Sequence, residues 1–129
     1  MKTTGSLVDT SVWIDFFRGV TPVRAFLNDL ILKNRVFICG PIFFELLQGI
    51  KSAEERNLLK DGLLSLPYLE ITFKIWEEAA SLSRDLRAKG VTLPLTDLLI
   101  GQLAKANSLE VVSLDPHFDQ IPDLINRKP

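Results

Sequence analysis

Short apolar runs alternate along this chain with segments of helical period, and this alternation limits the fold more than any other feature. Leu7-Val8, Arg35-Val36-Phe37-Ile38-Cys39, Tyr68-Leu69-Glu70-Ile71 and Glu110-Val111-Val112-Ser113-Leu114 read as four strands. Leu124-Ile125 is a weak fifth candidate at a sheet edge, in an otherwise irregular tail from Pro116 to Pro129. Thr10 or Ser11 caps a helix running from Val12 toward Arg18, ended by Gly19. Thr21-Pro22 supplies a cap and a proline at the first helical position, and Val23, Phe26, Leu27, Leu30 and Ile31 carry that helix to Lys33. Gly40-Pro41 opens another, with Ile42, Phe43, Leu46 and Leu47 as its core side and Gly49 leaving room beside Glu45. Ser52-Ala53-Glu54-Glu55 has capping-box spacing ahead of Leu58 and Leu59. Thr72 caps a long helix through Trp76, Ala79, Ala80, Ser83 and Leu86, with Gly90 past its end. Thr96 caps the helix that carries Asp97 to about Asn107.

Strands separated by helices make a parallel sheet covered on both faces. The expected fold is therefore α/β, a three-layer α/β/α sandwich with a central parallel sheet of four to five strands. At 129 residues it is expected to be a single domain spanning 1–129. Ligands of such sheets bind in the crevice beyond the carboxyl ends of the strands. Two acids stand at strand ends, Asp9 after Leu7-Val8 and Asp115 after Leu114. Two more sit in or at the start of helices among apolar neighbours, Glu45 and Asp97. An ionised carboxylate in an apolar setting is costly unless compensated. Four such groups meeting at one crevice would suit a hard divalent ion, Mg²⁺ or Mn²⁺.

Each acid also has a purely structural reading. Asp9 can satisfy the loop after its strand, Asp97 can be a first-turn acid favoured by the helix dipole, and Glu45 can point to solvent. Asp115 can be a turn residue before Pro116, with Asp119 as the alternative fourth acid. Asp15, four residues beyond Ser11, reads as a helix-surface group or a support behind the site, and His117 reads as structural.

Composition removes several function classes. Hydrophobic residues make up 47% and charged residues 24%, as in ordinary soluble globular proteins. No apolar run approaches the ~18 residues of a membrane span, and Asp9 comes too early for a signal-peptide core. A cytoplasmic protein with no membrane association is expected. One His and one Cys disfavour zinc and a Cys–His nucleophile, and Cys39 reads as buried filler. No Gly-x-Ser-x-Gly elbow and no Gly-rich phosphate loop is present. With 15 Lys+Arg against 16 Asp+Glu, the formal charge of −1 is no footprint for binding nucleic acid by charge alone, so a polyanionic substrate needs a local cation. Carboxylate-held Mg²⁺ then points to phosphoryl transfer or phosphodiester hydrolysis. A haloacid-dehalogenase-like phosphatase wants Asp-x-Asp after its first strand, whereas the third position here is Ser11.

Leu7-Val8-Asp9-Thr10-Ser11-Val12-Trp13-Ile14-Asp15, Phe44-Glu45-Leu46-Leu47-Gln48-Gly49-Ile50, Leu95-Thr96-Asp97-Leu98-Leu99-Ile100 and Val112-Ser113-Leu114-Asp115-Pro116-His117-Phe118 follow one another in order. Together they resemble the four motifs of the PIN-domain ribonucleases, most closely the VapC toxins of toxin–antitoxin pairs, over nearly the whole chain. Gly101 departs from the alanine usual at its position. The resemblance implies an acidic quartet of Asp9, Glu45, Asp97 and Asp115 as catalytic metal ligands. It implies that Thr10, Ser11 and Ser113 are hydroxyls near the metal or the scissile phosphate. It further implies Mg²⁺- or Mn²⁺-dependent cleavage of RNA, often transfer RNA, and a homodimer. The partner it implies is a VapB-type antitoxin, through which alone operator DNA is bound. A catalytically silent member that only binds a protein partner is the rival reading.

Overall fold

The computed structural model describes residues 3–129. Five parallel strands form one sheet in the order β3-β2-β1-β4-β5. They are β1 (Ser6–Val8), β2 (Val36–Cys39), β3 (Tyr68–Leu69), β4 (Glu110–Val112) and β5 (Asn126–Arg127). Between β1 and β2 come α1 (Thr10–Phe17) and α2 (Thr21–Leu32), and between β2 and β3 come α3 (Gly40–Gln48) and α4 (Ala53–Leu64). The chain then crosses back over β1 through α5 (Phe73–Ala88) and α6 (Leu95–Ala106) to reach β4. Right-handed crossovers that step outward from β1 to β3 put α1 to α4 on one face, and the return crossover puts α5 and α6 on the other. The three expected layers follow from this winding.

Three of the strands, β2, β3 and β4, are shorter than the sequence suggests. β3 ends at Leu69 rather than Ile71, where the chain turns toward the Thr72 cap of α5, and β4 ends at Val112 rather than Leu114, where the chain turns into the loop that carries Asp115. The edge strand is Asn126–Arg127, not Leu124-Ile125: Val111 N–H donates to Ile125 O and Ser113 N–H to Arg127 O, which sets the pairing two residues later. The tail holds a 3-10 turn over Pro116–Gln120 whose Phe118 is fully buried.

Ser52 and Thr72 cap their helices as expected, accepting from Glu55 N–H and Ile75 N–H. Three other caps move by one or two residues. Asp9, not Thr10 or Ser11, is the N-cap of α1, since its carbonyl already accepts from Val12 and Trp13 N–H. Val20 precedes Thr21 as cap of α2, because its carbonyl takes Arg24 N–H. Pro94 precedes Leu95, because its carbonyl takes Leu98 N–H, so Thr96 lies inside α6. Gly19 and Gly90 end α1 and α5 with φ of +78° and +81°, a region that L side chains avoid. Gly49 has open space around it, so α3 does not depend on glycine there to make room for Glu45.

Helix α6 is buried from Asp97 through Ala104, all round rather than on one stripe. It packs on β1 and β4 on one side, while α5 and the C-terminal segment cover it elsewhere. Gly101 permits the closest approach: a Cβ there would stand 2.5 Å from Ile121 Cδ1.

Candidate metal centre

Strands β1 and β4 are neighbours, with Val8 paired to Val112, so the residues that follow them, Asp9 and Ser113, leave the sheet side by side. The chain winds one way from β1 and the other way past β4, which opens a crevice at their carboxyl ends. Asp9 is buried there, and two hydroxyls hold one of its oxygens. Ser113 Oγ donates to Oδ2 at 2.9 Å and Ser11 Oγ at 3.2 Å. Ser113, itself fully buried, also accepts Asp115 N–H at 2.9 Å, and Ser11 accepts Leu114 N–H at 3.1 Å. The two serines thus tie Asp9 to the loop that carries Asp115.

Glu45 projects from α3 and accepts a 3.4 Å hydrogen bond from Thr10 Oγ1. Asp97 is buried in the first turn of α6, where the positive end of the helix dipole favours an anion. Asp115 caps the 3-10 turn by accepting His117 N–H at 2.9 Å. His117 Nδ1 then lies 2.8 Å from Asp97 Oδ2 and 3.3 Å from Asp115 Oδ1. One donor atom each from Asp97, Asp115 and His117 falls within 4.8 Å of the others. Asp9 and Glu45 stand outside that trio, yet their charges reach it. Burial raises the Glu45 and Asp97 carboxyls above the usual range, and the charge of Asp9 adds to the rise in both. For Asp97 the hydrogen bond from His117 works against that rise, and the same contact raises the imidazole. Mutual repulsion among clustered carboxylates is the electrostatic condition that a divalent cation relieves, and the oxygen-rich donor set with one nitrogen fits such an ion.

One residue sits otherwise than expected. His117 is not a structural bystander: the turn begun by Asp115 swings its ring between two of the acids. Its signal in the sequence was weak, a sole histidine two residues past a strand-end aspartate. Among the described residues, no hydrogen bond joins the Asp15 side chain to the acids, and Asp119 bonds outward to Asn126 Nδ2 at 3.0 Å. Cys39 is buried and its thiol is pushed up to about 12, chiefly by desolvation, so it is no nucleophile at neutral pH.

The sequence pattern of the PIN domain matches residues 6–124. The chain belongs to the PIN-domain family. Within that family it is similar to the VapC ribonuclease Mb1587 of Mycobacterium bovis and to ribonuclease VapC11 of Mycobacterium tuberculosis. Each is 30% identical over 125 residues, covering 93% of both chains. Chains of solved VapBC structures share its fold. The VapBC2 complex of Rickettsia felis, bound to a promoter DNA fragment, superposes with a TM-score of 0.80 at 24% identity, over 95% of this chain and 97% of that one. DNA-bound VapBC from Salmonella typhimurium gives 0.82 at 22% identity over 98% of both. In this PIN domain no helix among the described residues is long and apolar enough to cross a membrane.

Proposed function

We propose that this VapC-family protein is a single-domain, Mg²⁺-dependent endoribonuclease toxin of a type II toxin–antitoxin pair, acting in the cytoplasm. Its substrate would be transfer RNA or another structured RNA with a single-stranded loop. The observation that carries the reading is the meeting of Asp97, Asp115 and His117 beyond β1 and β4, with Asp9 and Glu45 coupled to Asp97 by charge.

Asp97 and Asp115 would hold the ion directly, with Asp9 and Glu45 completing the negative field around it. When bound, the ion supplies positive charge against the phosphodiester and makes water more acidic at the site. The rest is the work of the chain. Ser113 and Ser11 orient the Asp9 carboxylate through one of its oxygens, and Thr10 donates a longer bond to Glu45. The first turn of α6 aims Asp97 at the crevice, and the Asp115 cap ties the facing loop to it. Rigid placement of this kind is what lets a site favour a transition state over its ground state.

Two surfaces suit the partners. Trp13, Phe17, Ile31, Leu46, Leu58 and Leu59 line an apolar groove of about 730 Å³ across α1 to α4, with Arg18 and Glu55 contributing one charge of each sign. Its chemistry fits an amphipathic helix, and we assign it to a VapB-type antitoxin, which would also make any operator DNA contact. Phe73 and Trp76, one turn apart on α5, are 80% and 46% exposed, and Trp76 shares a small cavity with the exposed Leu95. We assign this patch to a second copy of the chain.

Asp97→Asn tests the site. The variant is expected to keep its fold and its thermal unfolding cooperativity while metal-dependent cleavage of RNA disappears. Undiminished cleavage would remove Asp97 from the mechanism. Wild-type protein that captures an antitoxin but cuts no RNA with Mn²⁺ present would favour the silent, protein-binding reading.

A further inference from the structure

We infer that His117 is a direct ligand of the divalent ion and that its nitrogen tilts the site toward Mn²⁺ over Mg²⁺. The inference rests on the metal-site reading above and adds to it a residue that the acidic quartet does not contain.

The geometry is that of ligands sharing one ion. Two metal bonds of about 2.1 Å set at right angles put their donor atoms about 3.0 Å apart, as at adjacent corners of an octahedron. His117 Nδ1 stands 2.8 Å from Asp97 Oδ2 and 3.3 Å from Asp115 Oδ1, on either side of that spacing. A histidine that merely orients Asp97 needs one short contact. Here the same nitrogen faces two carboxylates carried by different elements, α6 and the turn after β4. The ring is also held in place by the backbone: its own N–H is fixed by Asp115 Oδ1, and the next residue, Phe118, is fully buried. The side chain remains 40% exposed, so an ion can reach it from solvent. Mg²⁺ is a hard ion that prefers oxygen, and replacing one oxygen by an imidazole nitrogen weakens its binding more than that of a transition ion. The carboxylate-rich remainder of the set still accepts Mn²⁺.

Affinity alone does not separate a ligand from its hydrogen-bond partner, since losing the partner weakens metal binding by about 10- to 100-fold as well. Spectroscopy does. The chain contains one histidine, so in protein free of any affinity tag an imidazole coupling belongs to His117 without further assignment. Pulsed electron paramagnetic resonance of the protein loaded with one equivalent of Mn²⁺ is expected to show modulation from a directly bonded ¹⁴N. That signal should change to the ¹⁵N pattern when the histidine is ¹⁵N-labelled and vanish in His117→Ala. Calorimetry should give tighter binding of Mn²⁺ than of Mg²⁺, with a smaller gap in His117→Ala. Bound Mn²⁺ without nitrogen modulation would overturn the ligand assignment while leaving the carboxylate site standing. Equal affinities of the wild type for the two ions would overturn the preference. Binding of neither ion would overturn the site reading itself.

Discussion

Ser113 is the hinge of the site's internal wiring, and replacing it by alanine tests whether that wiring holds the loop in place. The hydroxyl donates to a buried carboxylate at 2.9 Å and accepts a backbone N–H at 2.9 Å, in a position with no solvent exposure. A hydrogen bond to a charged group contributes about 1.5–3 kcal/mol. Alanine nearly fills the serine volume, so no cavity term adds to this. Asp9 Oδ2 keeps its 3.2 Å bond from Ser11, which limits the loss. The expected destabilisation of metal-free protein is about 2 kcal/mol. With an unfolding entropy of about 2.1 cal/mol/K per residue, that lowers the melting temperature of a chain this size by about 7 °C. Ser11→Ala removes a longer bond at a half-buried position and should destabilise by about 1 kcal/mol. Both bonds end on the same oxygen, so the double variant should lose more than the two singles together, because only then does that buried oxygen lack a donor. Urea melts in EDTA, with m-values checked for constancy, measure all three. A Ser113→Ala shift under about 0.5 kcal/mol, or strict additivity with Ser11→Ala, would refute the reasoning.

The remaining predictions concern charge and packing. In metal-free protein the Glu45 and Asp97 carboxyls hold their protons more tightly than in the unfolded chain, chiefly because they are buried. Because the folded values lie above the unfolded ones, the stability they contribute is complete below about 3.9 for Asp and about 4.3 for Glu and is lost as pH rises through their higher folded values. The melting temperature in EDTA should carry a falling component across that window, flattened in Glu45→Gln and Asp97→Asn; an unchanged slope in both variants would contradict it. At neutral pH, Mg²⁺ or Mn²⁺ at a hundred times its dissociation constant should restore about 2.7 kcal/mol, and a melting curve indifferent to both ions would count against a shared site. In α6, Gly101→Ala should destabilise by about 1 kcal/mol despite the better helix propensity of alanine, because its Cβ meets Ile121 Cδ1 at 2.5 Å. Ile121→Val deletes that atom, so the same alanine should be neutral or stabilising in that background. A double-mutant cycle by chemical denaturation shows whether the two substitutions are coupled.

Much of the architecture was legible because it rests on local patterns. The strand cores Leu7-Val8, Val36–Cys39 and Val111-Val112 are apolar on both faces, as a sheet covered by helices on both sides demands. Ser52 and Thr72 were readable as caps because each bonds a backbone N–H three residues on in its own chain segment. The caps misread at Thr10, Thr21 and Thr96 share one cause. In each case a backbone carbonyl one or two residues earlier begins the helix, and no side-chain hydroxyl reports that.

The sequence by itself determined the winding of strands and helices and which acids stand in apolar settings, because hydrophobic period and the residues at strand ends are properties of neighbours along the chain. Tertiary structure decided what those acids do to one another. Ser113 meets Asp9 across 104 residues, Thr10 meets Glu45 across 35, and His117 meets Asp97 across 20. These contacts exist only once β1 and β4 lie side by side and α6 packs on them. Likewise it is Asp115, not Asp119, that lies beside Asp97 and His117, while Asp119 accepts from Asn126 Nδ2. The pairing of side chains is set by where separate elements end in space, and no spacing along the chain encodes that directly.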